Sequence, residues 1–253
     1  MKVKYFDLKN KRVFISGGGS GIGATIVEHF CEQNSEVYFI DIDVKSSKKL
    51  ISNIKKKKKR VPKFIECNIL DIKKLQNIIK NIIANKGPIH CLINSAANDD
   101  RHTTEQVNEK YWENRMGINL KHYFFAAQSV VKGMKKIKSG SIVNLSSVSW
   151  MLGEGDKVVY ETAKSAVIGL TRSFAQEFGK YNIRTNSVIP GSIATERQIK
   201  NWLTPKYKKL ILDSQALKRQ LKPDDVARLV LFLSSDQSSG CTKQSFIIDA
   251  GIT

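Results

Sequence analysis

Arg12-Val13-Phe14-Ile15-Ser16-Gly17-Gly18-Gly19-Ser20-Gly21-Ile22-Gly23, running on into Ala24 to Gln33, is the stretch from which the rest of the chain can be read. Arg12 to Ser16 is short, apolar and β-rich, so it reads as a strand. Ala24 to Gln33 carries apolar residues at helical spacing. Strand, glycine loop, helix is the context of a dinucleotide site. There the glycines let backbone approach a pyrophosphate, and the helix N-terminus offers unpaired N–H groups and its positive dipole end. The spacing is GxxxGxG rather than GxGxxG. A glycine turn that binds nothing is the alternative reading.

The next apolar run, Glu36 to Ile40, reads as a second strand and closes on Asp41. A carboxylate at that strand end, about twenty positions past the loop, can accept hydrogen bonds from the ribose hydroxyls of an adenosine. It would repel a 2′-phosphate, and no Arg or Lys sits in the loop or directly after Asp41. This favours NAD over NADP; a helix cap is the other role open to Asp41. Further on, the sequence predicts helices over 44–57 and from Asp71 as N-cap to Asn85. It predicts strands at 62–66, 89–93, 141–145, 183–188 and 244–248, and helices over 112–138, 157–180 and 224–234. This alternation implies an α/β fold, one doubly wound parallel sheet of about seven strands in a single domain spanning 1–253. Glu196 to Gln215, helical and broken at Pro205, follows a strand end irregularly, and 195–222 is a candidate substrate lid.

The chemistry gathers around Ser147, Tyr160 and Lys164. Tyr160 and Lys164 stand four residues apart, on one face of a helix. A phenol has an unperturbed pKa near ~10, and an ammonium one turn away favours its phenolate. The pair is therefore expected to accept a proton near neutral pH. Ser147 emerges at the C-terminal end of a strand, where open α/β sheets place their sites. A surface Tyr and Lys on an ordinary helix is the bland alternative. Asn119, inside a predicted helix, is poor helix chemistry and marks a candidate distortion. Asn98-Asp99-Asp100-Arg101-His102 is a dense polar cluster after a strand end, either a solvated loop or a substrate contact.

The net charge is +19, from 42 Lys and Arg against 23 Asp and Glu. The excess is mostly Lys scattered along a chain also rich in Ile and Asn, which looks like a compositional bias. The one dense block, Lys55 to Arg60, has no interleaved aromatics for base stacking, so no nucleic-acid partner is expected. Four cysteines, Cys31, Cys67, Cys91 and Cys241, are far apart among apolar neighbours and read as buried free thiols, with no metal site. Met1 to Lys9 has no apolar leader core, and no run reaches the ~18 apolar residues of a membrane span. A cytoplasmic protein without a membrane partner is expected.

With these residues assembled, the chain resembles the short-chain dehydrogenase/reductase family along essentially its whole length. The matching features are the Ser16–Gly23 loop, Asp41, Asn94 to Ala97, Asn119, Ser147, Tyr160, Lys164, Pro190-Gly191 and Thr195. The resemblance implies a Rossmann-type sheet and NAD(P) chemistry, with Asn119, Ser147, Tyr160 and Lys164 as the catalytic group. Ser147 would bind the substrate oxygen, Tyr160 exchange its proton, and Lys164 hold the nicotinamide ribose. Asn119 would anchor a water relaying protons from Lys164. Cofactor contacts are implied for Gly17, Ser20, Gly21, Ile22, Gly23, Asp41, Asn68, Ile69, Asn94, Ala96, Pro190, Gly191, Ile193 and Thr195, besides Tyr160 and Lys164. Two departures stand out: Asn94-Ser95-Ala96-Ala97 where the family has Asn-Asn-Ala-Gly, and Asn68 where it often has Asp.

A narrower similarity is to the bacterial NAD-dependent D-xylose 1-dehydrogenase subfamily. It rests on the segments 98–102, Ser149-Trp150, Tyr160 to Lys164, 195–198 with Trp202 to Pro205, and Ile248 to Gly251. It implies oxidation of an aldose at C1 to a lactone, with Asn98, Asp99, Arg101, His102, Arg197 and Gln198 reaching sugar hydroxyls beside Ser147, Ser149 and Tyr160. Trp150 and Trp202 either face the sugar or pack the core and the lid. Apolar residues on more than one face of the Tyr160 helix suggest a partner subunit, and the family implies a homotetramer, or a dimer. The alternatives are a dehydrogenase or reductase of another secondary alcohol or an oxoacyl substrate, and an NAD-sensing binding protein without turnover.

Overall fold

The computed structural model describes residues 3–253. Among these, β1 (Arg12–Ser16), β2 (Glu36–Asp41), β3 (Lys63–Glu66), β4 (Cys91–Asn94), β5 (Gly140–Leu145), β6 (Ile183–Pro190) and β7 (Ser245–Ile248) form one sheet in the order β3-β2-β1-β4-β5-β6-β7. Every pairing is parallel. A parallel sheet is covered on both faces, so its inner strands are apolar throughout rather than alternating. Val13, Phe14 and Ile15 are accordingly all fully buried, Phe14 toward one layer and its two neighbours toward the other.

Three helices build the first layer: α1 (Gly21–Glu32), α2 (Val44–Lys56) and, from late in the chain, α10 (Pro223–Ser234). Ile26, Val27 and Phe30 of α1 meet Val226, Ala227 and Val230 of α10 in one buried cluster. The opposite layer holds α3 (Ile72–Lys86), α4 (Glu109–Met116), α5 (His122–Ile137), a short α6 (Ser149–Leu152) and α7 (Val158–Phe178). Leu75 and Ile79 of α3, Ala127 and Val130 of α5, and Phe174 and Phe178 of α7 fill its core. Asp43 and Asp71 cap α2 and α3, accepting at 2.9 Å from the amides of Ser46 and Lys74. Each cap is worth about 1 kcal/mol. Helices α8 (Glu196–Asn201) and α9 (Pro205–Ser214) lie between β6 and α10.

Three sequence expectations change. The first helix starts at Gly21, not Ala24, because the glycines at 21 and 23 are themselves its first turn. The region predicted as one or two helices over 112–138 runs through a π turn at Gly117–Lys121 that contains Asn119. Cys241 is only half-buried, whereas Cys31, Cys67 and Cys91 are buried, and all four are free. No helix among the described residues is long and apolar enough to cross a membrane.

Candidate active site

Strand order reverses between β1 and β4, and the loops leaving the two strands diverge there, which opens a crevice at the C-terminal edge of the sheet. A cavity of about 1030 Å³ occupies that edge. Its walls come from the loops after β1, β2, β3, β4, β5 and β6, together with α7, α8 and α9. Of the residues singled out in the sequence, the cavity is lined by Gly17, Ser20, Ile22, Gly23, Asp41, Asn68, Ile69, Ala96, Asn98, Asp99, Arg101, Ser147, Ser149, Tyr160, Lys164, Pro190, Gly191, Ile193, Thr195, Arg197 and Gln198. Gly21, Asn94, His102, Asn119, Trp150 and Trp202 do not line it.

The glycine loop is held by its own amides. Gly17 and Gly18 donate to the Ile40 carbonyl at 2.9 and 3.1 Å, and Gly19 donates to Asp41 Oδ2 at 2.8 Å. Gly17 sits at φ +69°, a left-handed conformation that favours glycine, and a Cβ there would lie 2.6 Å from Ala96 Cα. A Cβ on Gly23 would lie 1.8 Å from the Gly17 carbonyl oxygen. The helical bond from Ala24 N–H to the Ser20 carbonyl leaves the earlier amides of α1 without a partner in the helix. A cradle too tight for side chains, with free amides at its floor, suits a pyrophosphate. Asp41 lines the same cavity and keeps lone pairs beyond those given to Gly19 and Asp43. The residues present therefore fit a nicotinamide dinucleotide. Asn68, one of the implied cofactor contacts, accepts from Leu70 N–H at 3.0 Å through its Oδ1. Asn94 turns into the sheet and donates to Asn144 Oδ1 at 2.9 Å.

At the other end of the cavity, Ser147 leaves β5, and α7 presents Tyr160 and Lys164. Ser147 Oγ lies 2.9 Å from Ser149 Oγ. Lys164 is 1 % exposed and donates to the Leu145 carbonyl at 2.7 Å and to Tyr123 Oη at 3.0 Å. Burial pushes its pKa down to about 7, against the pull of Asp99. The expected lowering of the tyrosine pKa is not found: burial, reinforced by Asp99, raises Tyr160 above the usual phenol range, while the Ser147 hydroxyl opposes the rise. The physical reason is that burial strips water from both groups, which disfavours the phenolate and the ammonium alike. Lys164 Nζ also stands 5.6 Å from the Tyr160 ring centre, turned toward Tyr123 and Leu145.

The polar cluster after β4 works as a clasp. Arg197 bridges Asp99 and Asp100, at 3.3 and 2.7 Å, and Gln198 donates to Asp99 at 2.7 Å, tying α8 to this loop. Asn119 fastens the loop from beneath: its Oδ1 accepts from Asn98 N–H at 2.8 Å and its amide donates to the Asn98 carbonyl at 3.1 Å. Its side chain thus braces the loop. His102 Nε2 accepts from Val159 N–H at 3.2 Å, in the first turn of α7, and the His102 backbone N–H donates to the Asp156 carbonyl at 2.8 Å. An accepting Nε2 puts the proton on Nδ1, which faces the Asp100 carbonyl and Tyr111 Oη. His102 therefore caps the helix carrying Tyr160 and has no nitrogen left for a ligand. Trp202 is covered by the Arg101 guanidinium, 4.6 Å above its ring, and Arg101 pairs in turn with Asp156. The indole N–H groups of Trp150 and Trp202 are enclosed and find no partner among the described residues. Both tryptophans pack the surround of the cavity.

The sequence reading missed the stripe Tyr207, Leu210, Ile211 and Ser214, which lines the cavity from α9. Their spacing of three, four and seven marks one helix face and was the available signal. It also missed Tyr123, for which no local pattern gives a cue.

The family profile described as "Enoyl-(Acyl carrier protein) reductase" matches residues 17–253, from the glycine loop to the last residue. The chain belongs to the short-chain dehydrogenase/reductase family, oxidoreductases that use nicotinamide cofactors. It is 42 % identical to the D-xylose 1-dehydrogenase of Caulobacter vibrioides, over 98 % of this chain and 97 % of that one. It is 40 % identical to a Rhizobium meliloti protein named "Probable galactose dehydrogenase GalD", over 97 % of this chain and 96 % of that one. The crystal structure of a 3-oxoacyl-(acyl-carrier-protein) reductase from Brucella melitensis superposes with a TM-score of 0.90 at 24 % identity, covering 100 % of this chain and 98 % of that one, which shows the shared fold.

Proposed function

We propose that this chain is an NAD-dependent aldose 1-dehydrogenase that oxidises a neutral sugar at C1 to its lactone. The observation that carries the reading is the set of hydrogen-bonding side chains of Asn98, Asp99, Arg197 and Gln198 around the same cavity as Ser147 and Tyr160. A sugar offers several hydroxyls to such a set, and the two sugar dehydrogenases among the relatives support it. Tyr160, as phenolate, accepts the proton of the anomeric hydroxyl, and Ser147 holds the same oxygen. Lys164, in its charged form one turn away, favours the phenolate, while the burial of both groups opposes it. The nicotinamide, when bound, supplies the hydride acceptor for C1. Most of the protein's contribution is orientation together with a positioned base. Asn119 acts through Asn98, by fixing the loop that faces the substrate.

Residues 1–253 form a single catalytic domain in this reading, and 195–222 close over the sugar. A homo-oligomer, tetramer or dimer, is supported by Phe124 on α5 and Trp112 on α4, which remain 42 % and 41 % exposed. The separate free thiols suit the reducing cytoplasm.

The test is NADH absorbance with purified protein, NAD or NADP, and a panel of aldopentoses and aldohexoses. Reduction of NAD by one or two sugars is expected. Silence with every sugar, with NADH still binding, would remove the sugar assignment. The choice of NAD rests on Asp41. Asp41→Asn removes the charge that opposes a 2′-phosphate and should lower the ratio of kcat/KM for NAD over NADP roughly tenfold or more. An unchanged ratio would assign the preference to another residue.

A further inference from the structure

A lysine ammonium has three N–H donors and no acceptor. In Lys164 two of them are already used within the protein, by the Leu145 carbonyl at 2.7 Å and by Tyr123 Oη at 3.0 Å. Tyr123 stands in the first turn of α5, just after the π turn, and is fully buried. Its hydroxyl donates to the same Leu145 carbonyl at 2.9 Å. Nζ, Oη and the carbonyl oxygen therefore close a triangle beneath the cavity, and one ammonium N–H remains for the cavity itself.

We infer that Tyr123 is a positioning residue for the reaction: with the Leu145 carbonyl it fixes the Lys164 ammonium so that a single N–H faces the cleft beside Tyr160. The inference rests on the proposed role of Lys164. The π turn Gly117–Lys121 leads directly into the turn of α5 that carries Tyr123. The titratable groups facing Lys164 are Tyr160 on its own helix, Asp99 from the loop after β4, and His122 and Tyr123 from α5. Burial pushes His122 down to about 3 and lifts Tyr123 well above the usual phenol range, so both stay neutral around the ammonium. A neutral hydroxyl that accepts from Nζ favours the charged lysine. Removing that acceptor lets the proton leave at lower pH.

The experiment compares Tyr123→Phe and Tyr123→Leu with the parent and with Lys164→Ala. It reads kcat, KM and their pH profiles with the best sugar, NADH affinity by fluorescence titration, and melting temperature. Both Tyr123 variants should lose about tenfold or more in kcat, the value expected for one hydrogen bond to a charged group. The pH profile of kcat should depart from the parent's, because the Lys164 proton leaves at lower pH, with KM for sugar and NADH affinity little changed. Parent-like kcat and pH profile in either variant, with Lys164→Ala inactive, would overturn the role of Tyr123 and leave Lys164 standing. Parent-like activity in Lys164→Ala would instead remove the assigned role of Lys164, and this inference with it.

Discussion

Tyr160→Phe should lower kcat by roughly 10²–10⁴-fold, the range of a positioned acid–base group. The ring stays in place and only Oη is lost, so the cradle formed by 17–23 is untouched and NADH affinity should hold. The pH dependence gives a second readout. Burial and Asp99 raise the Tyr160 pKa, so the phenolate is scarce at low pH and oxidation should rise steeply toward alkaline pH. Asp99 supplies part of that upward push, so in the parent the rise should sit above the neutral range. A Tyr160→Phe enzyme that kept most of its kcat would exclude Tyr160 as the proton acceptor. A flat pH profile in the parent would exclude it equally.

Gly23→Ala should cost at least tenfold in NADH affinity, and melting temperature should fall as well. The new Cβ would sit 1.8 Å from the Gly17 carbonyl oxygen and 3.3 Å from Gly18 Cα. No rotamer relieves a clash with backbone, so the loop must move, at an overpacking cost of about 1–3 kcal/mol or more. The movement takes the free amides of α1 out of register with a pyrophosphate. Gly240→Ala is the control, since a Cβ there meets nothing within 4 Å. Fluorescence titration and thermal melting of both variants decide the matter. Unchanged affinity in Gly23→Ala would mean that the loop does not bind the dinucleotide.

What the sequence made legible was local. The 17–23 loop, Asp41 at a strand end, and Tyr160 with Lys164 one turn apart are patterns of short range, and each lines the cavity. The seven strands followed from the same kind of pattern, because parallel strands are apolar runs bounded by loop residues. What was not legible depends on chains crossing far from each other in sequence. His102 looked like a ligand contact until Val159, 57 positions on, was seen to donate to it. Trp202 could face the sugar or pack the lid on its sequence alone; the Arg101 guanidinium over its ring, 101 positions away in the chain, decides for packing. The Lys164 charge looked free to act on Tyr160 alone, but burial and Tyr123, 41 positions back, hold it. Asn119 was singled out for poor helix chemistry, which fits the π turn; its tie to Asn98 is a tertiary contact that helix chemistry does not encode.

The cavity walls run from Gly17 to Ile252 in the chain. They come together only when the whole sheet is assembled, so an unfolded or half-folded chain has no site to offer. A dinucleotide that binds only the finished fold adds to its stability by mass action, about 2.7 kcal/mol at a hundred times its Kd. That is a sizeable share of the roughly 5–15 kcal/mol by which proteins typically stay folded. A saturating dinucleotide should therefore raise the melting temperature of the whole chain, as a single cooperative unit, and not of one part of it.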